Sequence, residues 1–297
     1  MTNAPILCFG EILWDSLPQG LFPGGAPINV AYHLKQLGRR AIPVTAVGKD
    51  YLGEELLLRM KRWGLETDFA SVLPDKRTGA VQVELNDKGS ATYKILEDVA
   101  WDWIQVTPAL EELAKQSSAL VYGTLAQRSE HNRKQLFRLM DQSPEAMKVY
   151  DVNLRPPYDS HELVWELSER ADLIKLNDDE IAELLKRSLE KGDLESGARD
   201  LARRTKTKTV CVTAGADGAG LLVEDKWFWA DGEPVKVKDT IGAGDSFLAG
   251  LVNGLIGRDT EHQEVLRRAA RLAEFVASSD GATPNYLVSN DGSIRRS

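Results

Sequence analysis

Lys238-Asp239-Thr240-Ile241-Gly242-Ala243-Gly244-Asp245-Ser246-Phe247 is the stretch on which the reading of this chain turns. Val235 and Val237 alternate ahead of it and predict a strand end, and Phe247-Leu248-Ala249-Gly250-Leu251-Val252 behind it has the apolar content of a buried helix. The stretch is therefore a loop feeding a helix N-terminus. Backbone N–H groups at such a junction lack intrahelical partners and the helix dipole adds partial positive charge, so an anion is attracted. Gly242 and Gly244 let the main chain approach a ligand with no Cβ between them. Asp245 stands out, because a carboxylate beside an anion hole is costly unless it has a use. One use is to accept a proton from a hydroxyl that attacks a phosphate. The other is to cap the helix, a position that Asp favours.

Residues 239–245 match the pattern D-T-x-G-A-G-D in full. In this they resemble the second signature of the ribokinase-like carbohydrate kinases, the PfkB family. The resemblance implies that the amides of Gly242, Ala243 and Gly244 stabilise a transferring phosphoryl group, with Asp245 as the general base and Thr240 on the nucleotide side. It also implies that Asp239 and its neighbours help to hold a monovalent cation, usually K⁺.

Further upstream, Phe22-Pro23-Gly24-Gly25-Ala26-Pro27-Ile28-Asn29 leads into a helix with Val30, Ala31, Leu34 and Leu37 on one face, stopped by Gly38. Paired glycines followed by an amide that donates and accepts suit a polyol, although a Gly-rich turn needs the same residues. Gly24-Gly25-x-x-x-Asn29-x-Ala31 with Leu37-Gly38 resembles the first PfkB signature. That resemblance makes Asp15, Gly24, Gly25 and Asn29 the sugar-holding positions.

From 78 the period changes to two: Val81, Val83 and Leu85 alternate with polar residues, 86–89 make a turn, and Ala91, Tyr93 and Ile95 return. A hairpin with one apolar face must cover something. In the family such a sheet is a lid over the sugar, which implies lid insertions at about 12–22 and 78–104 in a single domain spanning 1–297 and a possible homodimer through the lid. Trp101 and Trp103 at its exit either line the sugar pocket or pack against the main domain.

Beyond Pro108 helices and strands alternate. Leu173–Leu176 and Lys208–Val212 read as buried strands, so the expected class is α/β with a mostly parallel sheet flanked by helices, and ligands beyond the strands' carboxyl ends. Asp151-x-Asn153-x-Arg155-Pro156 resembles the sequence of fructokinase-like members, which sets Arg155 near the sugar and the transferring phosphate; an ordinary salt-bridging Arg on a proline-stiffened turn is the alternative. Asn177-x-x-Glu180 is a capping box by pattern and also resembles the family's N-x-x-E motif, which organises Mg²⁺ through water. Thr213-x-Gly215-x-x-Gly218 precedes another strand and so reads as a hairpin turn, not the βα turn that holds a dinucleotide. The family resemblance makes these three residues ATP contacts, and Ser279–Pro284 resembles the C-terminal loop near adenine and the cation.

The whole chain constrains these readings. Its 297 residues suit one large α/β unit, with 42% hydrophobic and 28% charged residues. No run reaches the ~18 apolar residues of a membrane span, and no secretory leader is visible, so a cytoplasmic protein is expected. A net charge of −8 argues against a nucleic-acid partner. Cys8 and Cys211 lie in separate apolar runs, as core residues do, and the four dispersed histidines form no zinc pattern. No G-x-x-x-x-G-K-[ST] occurs, which excludes a P-loop kinase at the motif level. The expected activity is ATP-dependent phosphorylation of a sugar, with D-fructose to fructose 6-phosphate first. A 2-keto-3-deoxygluconate, ribose or nucleoside kinase of the same fold, a non-catalytic sugar-binding regulator, and a nucleotide-binding dehydrogenase are the alternatives.

Overall fold

The computed structural model describes residues 4–17, 20–85, 91–257, 261–289 and 293–296. Its strands in the first half are β1 (Ile6–Phe9), β2 (Leu13–Leu17), β3 (Gly20–Gly24), β4 (Ala41–Gly48), β5 (Ala70–Leu73), β6 (Gly79–Leu85) and β7 (Ala91–Ile95). There follow β8 (Ala119–Gly123), β9 (Met147–Asp151), β10 (Leu173–Asn177), β11 (Thr209–Thr213), β12 (Ala219–Val223), β13 (Lys226–Ala230), β14 (Tyr286–Val288) and β15 (Ile294–Arg296). The helices are α1 (Ala26–Gln36), α2 (Tyr51–Arg62), α3 (Pro108–Ala114), α4 (Glu130–Gln142), α5 (His161–Ser168), α6 (Asp178–Leu185), α7 (Leu194–Thr205), α8 (Ala243–Ile256) and α9 (His262–Ala277).

Among the described residues, nine strands form one sheet in the order β13-β12-β11-β10-β9-β8-β1-β4-β5. β12 pairs antiparallel with both β11 and β13, and the other neighbours pair in parallel. Side chains alternate across each strand. Leu7, Phe9, Ile42 and Tyr122 therefore join one buried cluster with residues of α3 to α7. Ile6, Cys8, Ala41 and Val121 face the other way and pack with α1, α2, α8 and α9. The strands are buried on both faces, which is why they read as apolar runs without alternation. Both cysteines are free and buried.

The order matters for function. After β1 the chain builds outward through β4 and β5, then returns to β1's other side with β8. This reversal opens a crevice beyond the carboxyl ends of β1 and β8, where ligands bind in sheets of this kind. Above it lies a separate four-stranded sheet, β3-β2-β6-β7.

Several local expectations differ from the structure. Val235 and Val237 are in no strand and are 38% and 57% exposed; β13 already forms the sheet edge and ends at Ala230. Helix α2 is opened by Asp50, whose Oδ1 accepts the Gly53 N–H at 2.8 Å. Trp101 is fully buried beneath the Arg128 guanidinium at 4.0 Å, so it packs and does not line the crevice. The turn expected at 86–89 lies outside the described residues. Among the described residues, no helix is long and apolar enough to cross a membrane.

Candidate active site

Strand ends supply most of the site. Glu11 follows β1, Thr124 follows β8, Asp151 closes β9, Asn177 closes β10 and Thr213 closes β11. With the N-termini of α1 and α8 they enclose a cavity of about 380 Å³. Of the residues marked in the sequence, Asp15, Gly25, Asn29, Arg155, Asn177, Glu180, Thr213, Thr240, Gly242, Gly244 and Asp245 line it. Gly24, Ala243, Asp239, Gly215 and Gly218 are not part of its wall. Gly24 backs Asp15, since a Cβ there would lie 2.1 Å from Asp15 Oδ2. Gly218 serves its own hairpin: its φ is 118° and a Cβ would lie 2.1 Å from Ala230 O.

The two glycine-bearing elements meet at one bond. Asn29 Nδ2 donates to Asp245 Oδ2 at 2.8 Å across 216 residues of sequence. That contact turns the Asp245 side chain toward α1, and the N-cap of α8 is Gly242, with φ 77°. A Cβ on Gly242 would lie 2.5 Å from Ala282 Cβ, so glycine is required both by conformation and by packing. The Ala243 N–H turns to Thr240 O at 3.3 Å, a long bond that leaves the Gly244 end of the turn facing the cavity. At the α1 end, Gly25 has φ 119° and a Cβ would lie 2.3 Å from Glu11 O.

The electrostatics are those of a crowded carboxylate pocket. Burial pushes the Asp245 carboxyl up to about 6; Asp151 adds to this, while the Asn29 hydrogen bond, Lys175 and Arg155 oppose it. Burial likewise lifts Glu11 to about 7 and raises Asp15, with Arg155 pulling both the other way. Lys175 Nζ forms a buried ion pair with Asp151 Oδ1 at 2.9 Å. Burial disfavours its charge, but Asp151, Glu180 and Asp245 outweigh that and its pKa is raised. The same ammonium sits under the anion-hole turn, 3.2 Å from where a Gly244 Cβ would be.

Glu180 is both cap and pocket residue. Its Oε2 accepts the Asn177 N–H at 2.8 Å, Oε1 accepts the Leu154 N–H at 2.9 Å, and Asn177 Oδ1 accepts the Glu180 N–H in return. Asp151 Oδ2 is buried with no hydrogen-bond partner among the described residues. No cluster of three or more His, Cys, Asp or Glu fit for a metal exists among the described residues. Glu180 with the open Asp151 oxygen is nevertheless a donor set of the type Mg²⁺ uses, with one or two carboxylates, waters and substrate phosphates. Asp239 Oδ1 accepts the Ile241 N–H at 2.9 Å, which leaves a second carboxylate oxygen on a loop tied to Ala277 O.

Several polar pocket residues have no role in the sequence motifs. Glu11, two residues past the end of a buried strand, is one, and Thr124, just past β8, is another. Lys175 interrupts the apolar run Leu173-Ile174-x-Leu176, and a charge in such a run is itself a signal. Asp151 was seen only as part of a longer motif.

The fold and this site define a carbohydrate kinase. Residues 19–288 match the model of the pfkB family carbohydrate kinases, and the chain belongs to that family. A fructokinase of Salmonella typhimurium is 27% identical over 297 residues, covering 94% of this chain and 95% of its own. Among solved structures, fructokinase with bound ATP from Xylella fastidiosa superposes with a TM-score of 0.81 at 21% identity, over 95% of this chain and 94% of its own. Fructokinase from Vibrio cholerae O395 with fructose, ADP and calcium gives 0.79 at 24%, over 95% of each chain. A 2-dehydro-3-deoxygluconokinase from Thermotoga maritima gives 0.78 at 21%, over 94% and 95%.

Proposed function

We propose that this sugar kinase is a fructokinase, transferring the γ-phosphoryl group of ATP to the primary hydroxyl of D-fructose to give fructose 6-phosphate and ADP. The observation that carries the reading is the Asn29–Asp245 hydrogen bond, which unites the sugar-holding element and the anion-hole loop in one cavity. Asp245 removes the proton of the attacking hydroxyl as the new O–P bond forms and the bond to ADP breaks. The N–H groups of the Gly242–Gly244 turn and the α8 dipole stabilise charge on the phosphoryl oxygens. Asp15, Gly25 and Asn29 hold the sugar, with Gly24 leaving room for the Asp15 carboxylate, and Arg155 spans the sugar and the phosphate. Asn177, Thr213 and Thr240 serve the nucleotide, and Gly215 and Gly218 shape the turn that follows Thr213. Glu180, through water, would hold Mg²⁺ and Asp239 would hold K⁺. Mg²⁺, when bound, neutralises phosphate charge.

A neutral sugar suits the wall better than a sugar acid. Among the described residues, Glu11, Asp15, Asp151, Glu180 and Asp245 face the cavity against only Arg155 and Lys175, and Lys175 is already paired. The relative from Salmonella typhimurium carries the same name as the proposed activity. In this reading 12–22 and 78–104 form a lid on a single domain spanning 1–297, and the exposed Leu21 and Phe22 offer apolar surface for a second copy. The deciding experiment is an ADP-release assay over fructose, ribose, 2-keto-3-deoxygluconate and adenosine, with and without K⁺. Fructose is expected to give the highest kcat/KM; a higher value for any other acceptor overturns the assignment.

A further inference from the structure

Glu11 is a carboxyl group with half of its bonding capacity unspent. It is 4% exposed and lines the cavity between β1 and the N-terminus of α1. Oε1 accepts the Ala26 N–H, the first of α1, at 3.2 Å. Oε2 is buried with no hydrogen-bond partner among the described residues. The Glu11 carbonyl also abuts Gly25, so this residue touches the glycine pair with both main chain and side chain. A polar atom left unpaired inside a protein costs roughly 1–3 kcal/mol, which a ligand group can recover on arrival.

We propose that Glu11 is a specificity-determining residue of the acceptor site, whose Oε1 holds the Ala26 N–H while its Oε2 hydrogen-bonds a hydroxyl of the bound sugar. This inference rests on the sugar-kinase reading and deepens it. Because Oε1 receives an N–H, a proton on the carboxyl resides on Oε2, and Glu11 then acts as donor to the sugar oxygen. Burial supports that state by lifting the group to about 7, against the Glu11 and Ala26 backbone N–H groups and Arg155, with Asp245 adding least. Glu11 thus complements Asp15 and Asp245, so that the pocket offers a sugar both a neutral acid and carboxylates.

Calorimetric titration of fructose into wild type, Glu11→Leu and Glu11→Gln at pH 6 and pH 8, with the KM for ATP measured alongside, tests this. The amide of Glu11→Gln can accept from Ala26 and donate in place of Oε2. It is expected to bind fructose within about threefold of wild type at pH 6 and to show no weakening at pH 8. Glu11→Leu is expected to bind fructose about tenfold or more weakly at pH 6, with KM for ATP within about twofold. The proposal is overturned if Glu11→Leu binds fructose as wild type does, or if Glu11→Gln binds as poorly as the Leu variant. If wild type neither binds nor phosphorylates fructose or any other acceptor of the panel, the sugar-kinase reading fails first and this one falls with it.

Discussion

Asp245 carries opposite consequences for rate and for stability. The Asp245→Asn enzyme should lose roughly 10²-fold or more in kcat while the fructose dissociation constant stays within a few-fold, because the amide keeps the bond to Asn29 and cannot take a proton. Rapid-quench turnover and calorimetry separate the two. With the base titrating at about 6, kcat/KM should rise about tenfold per pH unit below that value, and in the Glu11→Gln background, where the Glu11 carboxyl is absent, it should level off above it. Stability runs the other way. The folded carboxyl binds its proton more tightly than the unfolded one, whose value is near 3.8, so the cost of Asp245 grows as pH rises from about 4 to 6 and is complete above that. Two units amount to roughly 3 kcal/mol. Asp245→Asn should therefore be more stable than wild type in urea at pH 8, and the difference should vanish near pH 4. Lys175 makes a contrasting case. Lys175→Met leaves Asp151 buried and unpaired under the anion-hole turn and should cost roughly 3–5 kcal/mol by the same urea measurement.

Helix ends do the positioning in this molecule. Asp50 caps α2 and reaches β6 as well, because its two oxygens accept from the Gly53 N–H, the Thr78 N–H and the Thr78 hydroxyl. Asp50→Ala should lower the unfolding free energy by roughly 2–3 kcal/mol, more than an ordinary cap, and urea titration reads it directly. Elements that carry chemistry were legible because their constraints are local: a glycine at positive φ, a capping box, a carboxylate beside bare N–H groups. What remained hidden was set by partners remote in sequence. Nothing near Asp245 tells which way its side chain points until Asn29 arrives from the other end of the chain. Val235 and Val237 alternate as strand residues do, yet no neighbouring strand is available to pair with them. Glu11 and Lys175 were missed because each looks like a lone charge until the sheet order sets β1, β9 and β10 around one crevice.

At the scale of the whole chain, the reversal of strand order at β1 makes ligand binding and folding one equilibrium, since the cavity wall draws on both ends of the sequence. Fructose at a hundredfold excess over its dissociation constant should raise the unfolding free energy by roughly 2.7 kcal/mol, and ribose at the same concentration should do less. Thermal melts with each sugar check it. The class of fold was readable from alternating helices and strands, whereas the sheet order, which makes this possible, was not, because strand neighbours are chosen by packing over the full length. The 216-residue separation between Asn29 and Asp245 has a last consequence for a chain still on the ribosome. On the proposed assignment, the Asn29 element is made long before the proton acceptor, which exists only once α8 is synthesised and docked against α1. A product truncated before residue 243 should therefore release no ADP.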